Sequence, residues 1–323
     1  MTMIGIDLGG TNLRAAAIEG EATLRDNLRE PVGEPRDPET IVERCAVLCE
    51  QLSAGQPASV GVGIAAMLRD RQGMVANSPY LRWRDVAFGQ LLARRLGSRF
   101  KLGIYNDVNA IVYGEAAAGA ARNFRDVLGV YVGTGIGGGL IVNGQLVEGA
   151  SNCAGEIGHT KVRWDDKAAP CACGSRGCIE AYCGGDNIQR RIVKELAAGA
   201  KTSAIRHAGG TPGGIEHVNP GHVDMAAADG DDWALGLWTE LAPLLAVTLG
   251  NAVALLNPDR LVLGGGVLGR CPTLYTMVTA TLMVAGNAAS LEPMSIAQAE
   301  LGDDAGIVGA AHLAARDVSL VTA

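Results

Sequence analysis

One imidazole and three thiols lie close together near the middle of the chain. His159, Cys171, Cys173 and Cys178 form a His-x11-Cys-x-Cys-x4-Cys run, which is a complete tetrahedral ligand set for zinc. Four protein ligands leave no open coordination position, so the spacing predicts a structural zinc and not a Lewis acid. A set of buried free cysteines is the alternative interpretation, and Cys183 in place of His159 gives a weaker, all-cysteine alternative.

Two glutamates bracket this run. Glu156 lies in Gly155-Glu-Ile-Gly-His159, and Glu180 follows Cys178 by two residues. A purely structural zinc site does not need these carboxylates. We therefore expect the metal to hold loops that present acids to a polar ligand.

Two glycine loops repeat one pattern, a strand followed by a Gly-Thr loop and a second strand. The first loop is Gly9-Gly10-Thr11, and the second runs from Gly133-Thr134-Gly135 to Gly139. A Gly-x-Gly-x-x-Gly fingerprint is present in the second, but the chain continues as a strand where a dinucleotide fold needs a helix. Neither loop contains the lysine of a Walker motif. Backbone N–H groups at such tips bind phosphate oxygens, so the pair predicts a polyphosphate ligand.

Composition limits the function classes. The 323 residues are 48% hydrophobic and 19% charged, with a net charge of −7, so the chain is globular and has no basic surface for nucleic acid or an anionic membrane. Residues 1–7 do not resemble a signal peptide, and residues 241–256 are interrupted too often for a membrane span. We expect a cytoplasmic protein with reduced thiols that binds a small ligand.

Periodicity predicts an alternating α/β chain. The expected strands are residues 3–8, 12–18, 60–65, 102–105, 127–132, 140–142, 145–147 and 260–263. The expected helices are residues 37–53, 88–96, 185–198, 232–256 and 305–315. A third glycine loop, Gly264-Gly265-Gly266, follows the last strand, and residues 207–222 are weakly patterned.

Six motifs in order along the chain resemble the family of repressors, open reading frames and kinases (ROK). They are Asp7-Leu-Gly-Gly-Thr-Asn-Leu-Arg14, Asn106-Asp-Val-Asn-Ala110, Gly133-Thr-Gly-Ile-Gly-Gly-Gly139, Gly155-Glu-Ile-Gly-His159, Cys171-x-Cys-Gly-x-x-Gly-Cys-x-Glu180 and Leu263-Gly-Gly-Gly266. Within the family, the chain is most similar to the bacterial glucokinase-type hexokinases. The resemblance implies the actin-like (ribonuclease H-like) ATPase fold, with two α/β domains around a nucleotide and sugar cleft. The expected small domain is residues 1–115 plus 304–323, and the large one is residues 116–303.

The resemblance also implies a reaction, the transfer of phosphate from ATP to the 6-hydroxyl of a hexose, most readily glucose. Asp107 is the implied base. The implied sugar ligands are Ala66, Asn106, Asp107, Glu156, His159 and Glu180. The implied nucleotide contacts are Asp7, Gly9, Gly10, Thr11, Asn12, Gly133, Thr134, Gly135, Gly137, Gly265 and Gly266, with Asp7 near Mg²⁺ and the adenosine also near residues 304–306.

Three positions depart from the family pattern. Ala66 replaces a glycine in the sugar loop, Tyr80 replaces an amide, and Asn12 stands where a lysine is common. The first two leave N-acetylhexosamine, mannose or fructose as alternative acceptors, and polyphosphate remains an alternative donor. A sugar-responsive regulator is the remote alternative, although the first strand begins at residue 3 with no helix-turn-helix before it. The family also implies a homodimer.

Overall fold

The computed structural model describes residues 2–210 and 214–321. The strands are β1 (Thr2–Leu8), β2 (Asn12–Glu19), β3 (Thr23–Pro31), β4 (Ala58–Ile64), β5 (Met67–Leu68), β6 (Val75–Ser78), β7 (Trp83–Val86), β8 (Phe100–Asn106), β9 (Val127–Val132), β10 (Ile136–Val142), β11 (Gln145–Leu146), β12 (Arg260–Gly264) and β13 (Ser295–Gln298). The α-helices are α1 (Pro38–Ser53), α2 (Phe88–Leu96), α3 (Asp107–Ala118), α4 (Glu180–Cys183), α5 (Gly185–Ala197), α6 (Ala204–His207), α7 (Pro220–Ala228), α8 (Asp232–Leu256), α9 (Gly265–Leu268), α10 (Pro272–Ala285), α11 (Ala288–Leu291) and α12 (Ala305–Ala315).

Two compact units divide the chain. Unit 1 comprises residues 1–127, 139–155 and 299–323, and unit 2 comprises residues 128–138 and 156–298. These bounds differ from the expected 1–115 plus 304–323 and 116–303. Local bonding explains the difference, because the Asn143 N–H donates to Asp126 at 2.8 Å and the Gly144 N–H to the Arg125 carbonyl at 2.8 Å. Buried Glu115 also accepts from the Leu301 N–H at 2.9 Å.

The sheet of unit 1 aligns the carboxyl ends of three parallel strands. Its order is β3-β2-β1-β4-β8, with β1, β4 and β8 parallel. The register pairs Leu8 with Ile64 and Ile64 with Asn106. The residues that follow these strands therefore meet at one edge of the sheet, where α/β proteins usually bind ligands.

Helices cover both faces of this sheet. Leu13, Ala15 and Ala17 of β2 pack with α1 on one face, while Ala16 and Ile18 pack with α12 on the other. The C-terminal helix α12 also packs on α3 and approaches the sheet closely, because a Cβ added at Gly61 would lie 1.8 Å from the Ala310 carbonyl oxygen. No side chain other than hydrogen fits at Gly61.

The second sheet has the order β11-β10-β9-β12-β13. In unit 2, α8 packs against α10 and α7. Its length and apolar composition match those of a membrane span, but Leu237, Trp238, Leu241, Leu245 and Leu249 are buried against the protein. It serves as a core helix of unit 2, as the interrupted apolar stretch predicted.

Most of the predicted elements are confirmed to within two residues, and helices 88–96, 232–256 and 305–315 have the predicted bounds. The interpretation of Gly264-Gly265-Gly266 as a loop is wrong in part. Gly265 begins the short helix α9, because the buried side chains of Val267 and Leu268 hold that turn against the core. In the weakly patterned segment 207–222, residues 211–213 lie outside the described part of the chain.

Candidate active site

In unit 1, the first glycine loop connects β1 to β2. The Gly9 N–H donates to the Asn12 carbonyl at 3.1 Å and closes the turn. Gly10 lies under the ring of Tyr80, because a Cβ added there would meet the Tyr80 Cβ at 2.7 Å. Tyr80, one of the departures from the family pattern, therefore borders this loop.

A cavity of about 270 Å³ opens beside the loop. Its lining consists of glycine-loop residues and charged side chains: Asp7, Gly9, Gly10, Thr11, Asn12, Arg14, Arg29 and Asp303. Four of the predicted nucleotide contacts, Gly9 to Asn12, thus share one cavity with Asp7. Its polar lining suits a phosphate better than an apolar group.

Asp7 lies at the end of β1 and is paired with Arg14, its direct cross-strand neighbour. The Arg14 Nη2 donates to the Asp7 Oδ2 at 2.6 Å and also to the Asp303 carbonyl. Burial raises the pKa of Asp7 above its ordinary value, although the hydrogen bond and charge of Arg14 oppose that rise. The predicted adenosine contacts at residues 304–306 lie here in unit 1, where Arg14 is 3.9 Å from the Asp304 carboxylate.

Asn106 and Asp107 occupy the junction between β8 and α3. Asn106 caps the helix, because its Oδ1 accepts from the Val108 N–H at 3.0 Å and from the Asn109 N–H at 3.1 Å. Its Nδ2 donates to the Ala66 carbonyl at 3.3 Å. Three of the predicted sugar ligands, Ala66, Asn106 and Asp107, are therefore brought together, with Asp107 half-buried in the first turn of α3.

In unit 2, the second glycine loop is tied to the segment that follows the cysteines. The Ile136 N–H donates to the Glu180 Oε2 at 2.8 Å, and the Gly185 N–H donates to the Gly133 carbonyl at 2.8 Å. A Cβ added at Gly135 would lie 2.4 Å from the Glu180 Oε2. Glycine at this position therefore lets the carboxylate reach the loop backbone.

The four predicted zinc ligands converge in unit 2. The ligand atoms of His159, Cys171, Cys173 and Cys178 all lie within 4.8 Å of one another. The Cys173 and Cys178 Sγ atoms are 3.8 Å apart, and the Cys171 Sγ is 3.7 Å from the His159 Nδ1. A tetrahedron with zinc–sulfur bonds of about 2.3 Å has sulfur–sulfur edges of about 3.8 Å, so the geometry fits a zinc ion.

Two further contacts bear on this cluster. Lys161 donates to the Cys178 Sγ at 3.0 Å, and its positive charge would offset the excess negative charge of three thiolates around zinc. Cys183 is buried elsewhere, with its Sγ 3.7 Å from the Leu241 carbonyl. The geometry therefore favours His159 over Cys183 as the fourth ligand.

The two nitrogens of His159 face different groups. Nδ1 faces Cys171, and Nε2 lies 3.7 Å from the Glu156 Oε2. Burial raises the pKa of Glu156 above its ordinary value, opposed by the charge of His159 and increased by that of Glu180. The imidazole can thus bind a metal through Nδ1 and donate from Nε2 to a ligand beside Glu156.

A second cavity, of about 420 Å³, lies in unit 2 beside Gly133, Thr134 and Gly266. It falls within the size range of small-molecule sites. Sequence reasoning missed the rest of its lining: Gly185, Asp186, Gln189, Asn219, Pro220, Gly221, Val267 and Arg270. The one available signal was the dipeptide Asn219-Pro220, which marks a helix start and here caps α7.

Three predicted nucleotide contacts lie outside the linings of both cavities. Gly135 borders Glu180, Gly137 lies within β10, and Gly265 packs on the backbone of Val132. The adjacent strands β9 and β12 end at Val132 and Gly264, so the second glycine loop and Gly266 meet at one sheet edge.

Known sugar kinases are similar to this chain over almost its whole length. The chain is 30% identical over 318 residues to a glucokinase of Streptomyces coelicolor, with 96% of both chains covered. It is also 30% identical over 325 residues to an N-acetyl-D-glucosamine kinase of Yersinia pseudotuberculosis, with 96% of this chain and 97% of that one covered.

A solved structure has the same fold. The ROK family glucokinase from Streptomyces griseus, in complex with glucose and AMPPNP, matches with a TM-score of 0.78 at 28% identity, over 98% of this chain and 100% of that one. The α/β units described above therefore have the actin-like, ribonuclease H-like fold that was predicted. The family model for ROK matches residues 3–317, and the chain belongs to the ROK family.

Proposed function

We propose that the protein transfers the γ-phosphoryl group of ATP to the 6-hydroxyl of a hexose, with glucose as the preferred acceptor and glucose 6-phosphate as the product. The observation that carries this proposal is the edge of the unit 1 sheet. There the register aligns the ends of β1, β4 and β8, and so brings together a phosphate-type glycine loop, Ala66 and Asp107. The similarity to glucokinases over almost the whole chain supports the same activity.

Asp107 is the general base in this proposal. Its carboxylate takes the proton of the sugar's 6-hydroxyl while that oxygen forms a bond to the γ-phosphorus, and the bond from phosphorus to the bridging oxygen breaks to release ADP. Such transfers have a loose transition state, so the protein mainly aligns the acceptor and stabilises charge. In unit 1 we assign Asp107 and Asn106 as hydrogen-bonding groups for sugar hydroxyls, and in unit 2 we assign the same role to Glu156, His159 and Glu180.

Each unit has a cavity whose groups, taken by themselves, suit part of a nucleotide. The cavity of unit 1 has backbone N–H groups and arginine side chains for phosphate oxygens, and that of unit 2 has polar and apolar groups suited to a nucleoside. Asp7 fits as a group that binds the hydration shell of Mg²⁺, which supplies positive charge to the phosphates. His159, Cys171, Cys173 and Cys178 would hold a structural zinc.

The closest alternative is an N-acetylhexosamine kinase. It is favoured by the relative named for that sugar and by the two departures at Ala66 and Tyr80. Ala66 is buried next to Asn106 and adds a methyl group to the sugar loop, which changes the space available around the acceptor.

A coupled assay of ADP release tests the proposal with glucose, mannose, fructose, N-acetylglucosamine and N-acetylmannosamine, each with ATP. We expect the largest kcat/KM with glucose. Higher kcat/KM with an N-acetylated sugar would support the alternative, and no turnover with any sugar would contradict both. Product formation from glucose and polyphosphate without ATP would instead identify polyphosphate as the phosphate donor.

The proposal also includes a cytoplasmic location and assembly as a homodimer. None of the eight cysteines forms a disulfide, which suits the reducing cytoplasm. A homodimer stays a prediction from the family, and light scattering during gel filtration would measure it.

A further inference from the structure

The cavity beside the first glycine loop contains a row of three charged side chains. Asp7 on β1 pairs with Arg14 on β2, and Arg14 pairs with Arg29 on β3. Direct partners on adjacent antiparallel strands project from the same face of a sheet. The row therefore carries one negative and two positive charges, and all three residues line the cavity.

The two arginines differ in their partners. Arg14 is bonded to the Asp7 carboxylate at 2.6 Å and to the Asp303 carbonyl, and it lies 3.9 Å from the Asp304 carboxylate. Arg29 donates from Nε to the Asn12 Oδ1 at 3.3 Å. Among the described residues, no carboxylate lies within ion-pair distance of Arg29, so its positive charge is not neutralised within the protein.

Like charges at directly opposed positions of a sheet are destabilising. An anion beside Arg29 would remove that cost, and the glycine loop lines the same cavity as Arg29. An arginine fork next to a row of N–H groups is a strong arrangement for phosphate oxygens. Asn12 fixes the Nε end of the guanidinium and leaves its two terminal nitrogens for a ligand.

We propose that Arg29 is a phosphate-contacting residue, which binds an oxygen of the donor's phosphate chain at the first glycine loop while Arg14 holds Asp7. This inference rests on the proposed function and deepens it. Arg29 lies on strand β3, outside every motif identified in the sequence, and the proposal gives its unpaired charge a role. Asn12, which carries no charge itself, then acts as a positioning residue for Arg29.

Arg29→Gln and Arg29→Lys test the proposal, with Arg25→Gln as the matched control. Arg25 lies on the same strand and is exposed, but its partners are Glu19 at 3.0 Å and Asp26 at 3.2 Å, and it does not line the cavity. We expect Arg29→Gln to raise KM for ATP about tenfold and to leave KM for the sugar unchanged. Arg29→Lys should recover part of this loss, because it restores the charge without the fork.

Titration calorimetry with inorganic triphosphate and with AMPPNP provides a readout that does not depend on sugar turnover. Both ligands should bind the Arg29→Gln variant about tenfold more weakly than the unsubstituted protein, and the Arg25→Gln variant should bind them normally. Normal binding by Arg29→Gln, or equal losses in both variants, would overturn the inference. If the protein phosphorylates no hexose but its triphosphate binding still depends on Arg29, the proposed function fails while the anion site stands.

Discussion

The glycine loops of the two units share one backbone plan, strand, Gly-Thr turn and strand, but different groups support them. The loop of unit 1 is surrounded by charged side chains, Asp7, Arg14 and Arg29. The loop of unit 2 is held by hydrogen bonds, from the Ile136 N–H to Glu180 and from the Gly185 N–H to the Gly133 carbonyl. Glu180 follows Cys178, the last cysteine of the predicted zinc site, by two residues, so the segment that carries this cysteine is tied to the second loop by the bond from Ile136 to Glu180.

This difference predicts that the two units have separate roles. In unit 1, side-chain charge lies at the sheet edge together with Asp107, and substitutions there should act on turnover and on phosphate binding. In unit 2, a zinc ion bound by His159 and the three cysteines would orient Glu156 and Glu180, and substitutions there should act on sugar affinity and local order. Substitutions in each unit test whether these roles are separate, from the largest expected effect to the smallest.

Removing the base should have the largest effect. Asp107→Asn should lower kcat about 100-fold or more and leave the sugar's dissociation constant nearly unchanged, because an amide keeps the size and one acceptor of the carboxyl. Steady-state kinetics and calorimetry would measure the two quantities. The control is Asp126→Asn, which changes an acid of the same unit that accepts from the Asn143 N–H. Near-normal turnover by Asp107→Asn would show that Asp107 is not the general base.

Loss of a zinc ligand should come next. Cys178→Ala should reduce zinc from about one ion per chain toward none and weaken sugar binding about 10- to 100-fold, because His159 and Glu180 lose their orientation. Metal analysis and calorimetry would measure both changes. Cys183→Ala is the control, since Cys183 is equally buried but lies outside the cluster. Zinc that remains in Cys178→Ala and is lost in Cys183→Ala would reverse the ligand assignment.

A smaller effect is expected at the link between the cluster and the second loop. Glu180→Gln should raise KM for the sugar about tenfold while zinc stays bound, because the amide oxygen can still accept from Ile136 but carries no charge. The same kinetics with Glu195→Gln give the control, since Glu195 bonds to Arg191 and Trp233 on α5 and α8. An unchanged KM in Glu180→Gln would show that the sugar does not contact this carboxylate.

The smallest effect is expected at Asn106 of unit 1, where helix capping and sugar binding can be measured separately. Asn106→Ala should lower the free energy of unfolding by about 1 kcal/mol, the usual value of a helix cap, whereas Asn106→Ser keeps a capping oxygen and most of that stability. Urea unfolding would measure the difference. Both variants lack the amide, so both should bind the sugar less tightly. Normal sugar affinity in the serine variant would leave Asn106 with a capping role alone.

Local sequence predicted the elements that carry strong periodicity or capping signals. Asp37 caps α1 through the Thr40 N–H at 2.9 Å, and Asp231 caps α8 through the Ala234 N–H at 3.0 Å. By contrast, β3 was missed, because its exposed and charged residues, such as Arg25 and Arg29, follow no core pattern. The sequence analysis also missed α10, which is rich in threonine and valine, because β-branched residues have a lower helix propensity.

Site residues that lie within one sequence motif could be predicted. Site residues that only folding brings together could not. The zinc ligands lie within one short segment, and their convergence is as the spacing indicated. The cavity of unit 2 combines Asp186, Gln189 and Arg270 from separate segments, and no local pattern connects them. Arg29 is of the same kind, because only the register of β2 and β3 brings it to Arg14.

The close packing of α12 has a consequence for biosynthesis. The helix covers one face of the unit 1 sheet, yet its residues, 305–315, are translated after all those of unit 2. Domains usually fold in the order in which the ribosome makes them. Here the apolar sheet face formed by the N-terminal residues of unit 1 stays uncovered until residues 305–315 have been synthesised, and the residues of unit 2 are all synthesised earlier. A nascent chain stalled before α12 would therefore present that face to chaperones.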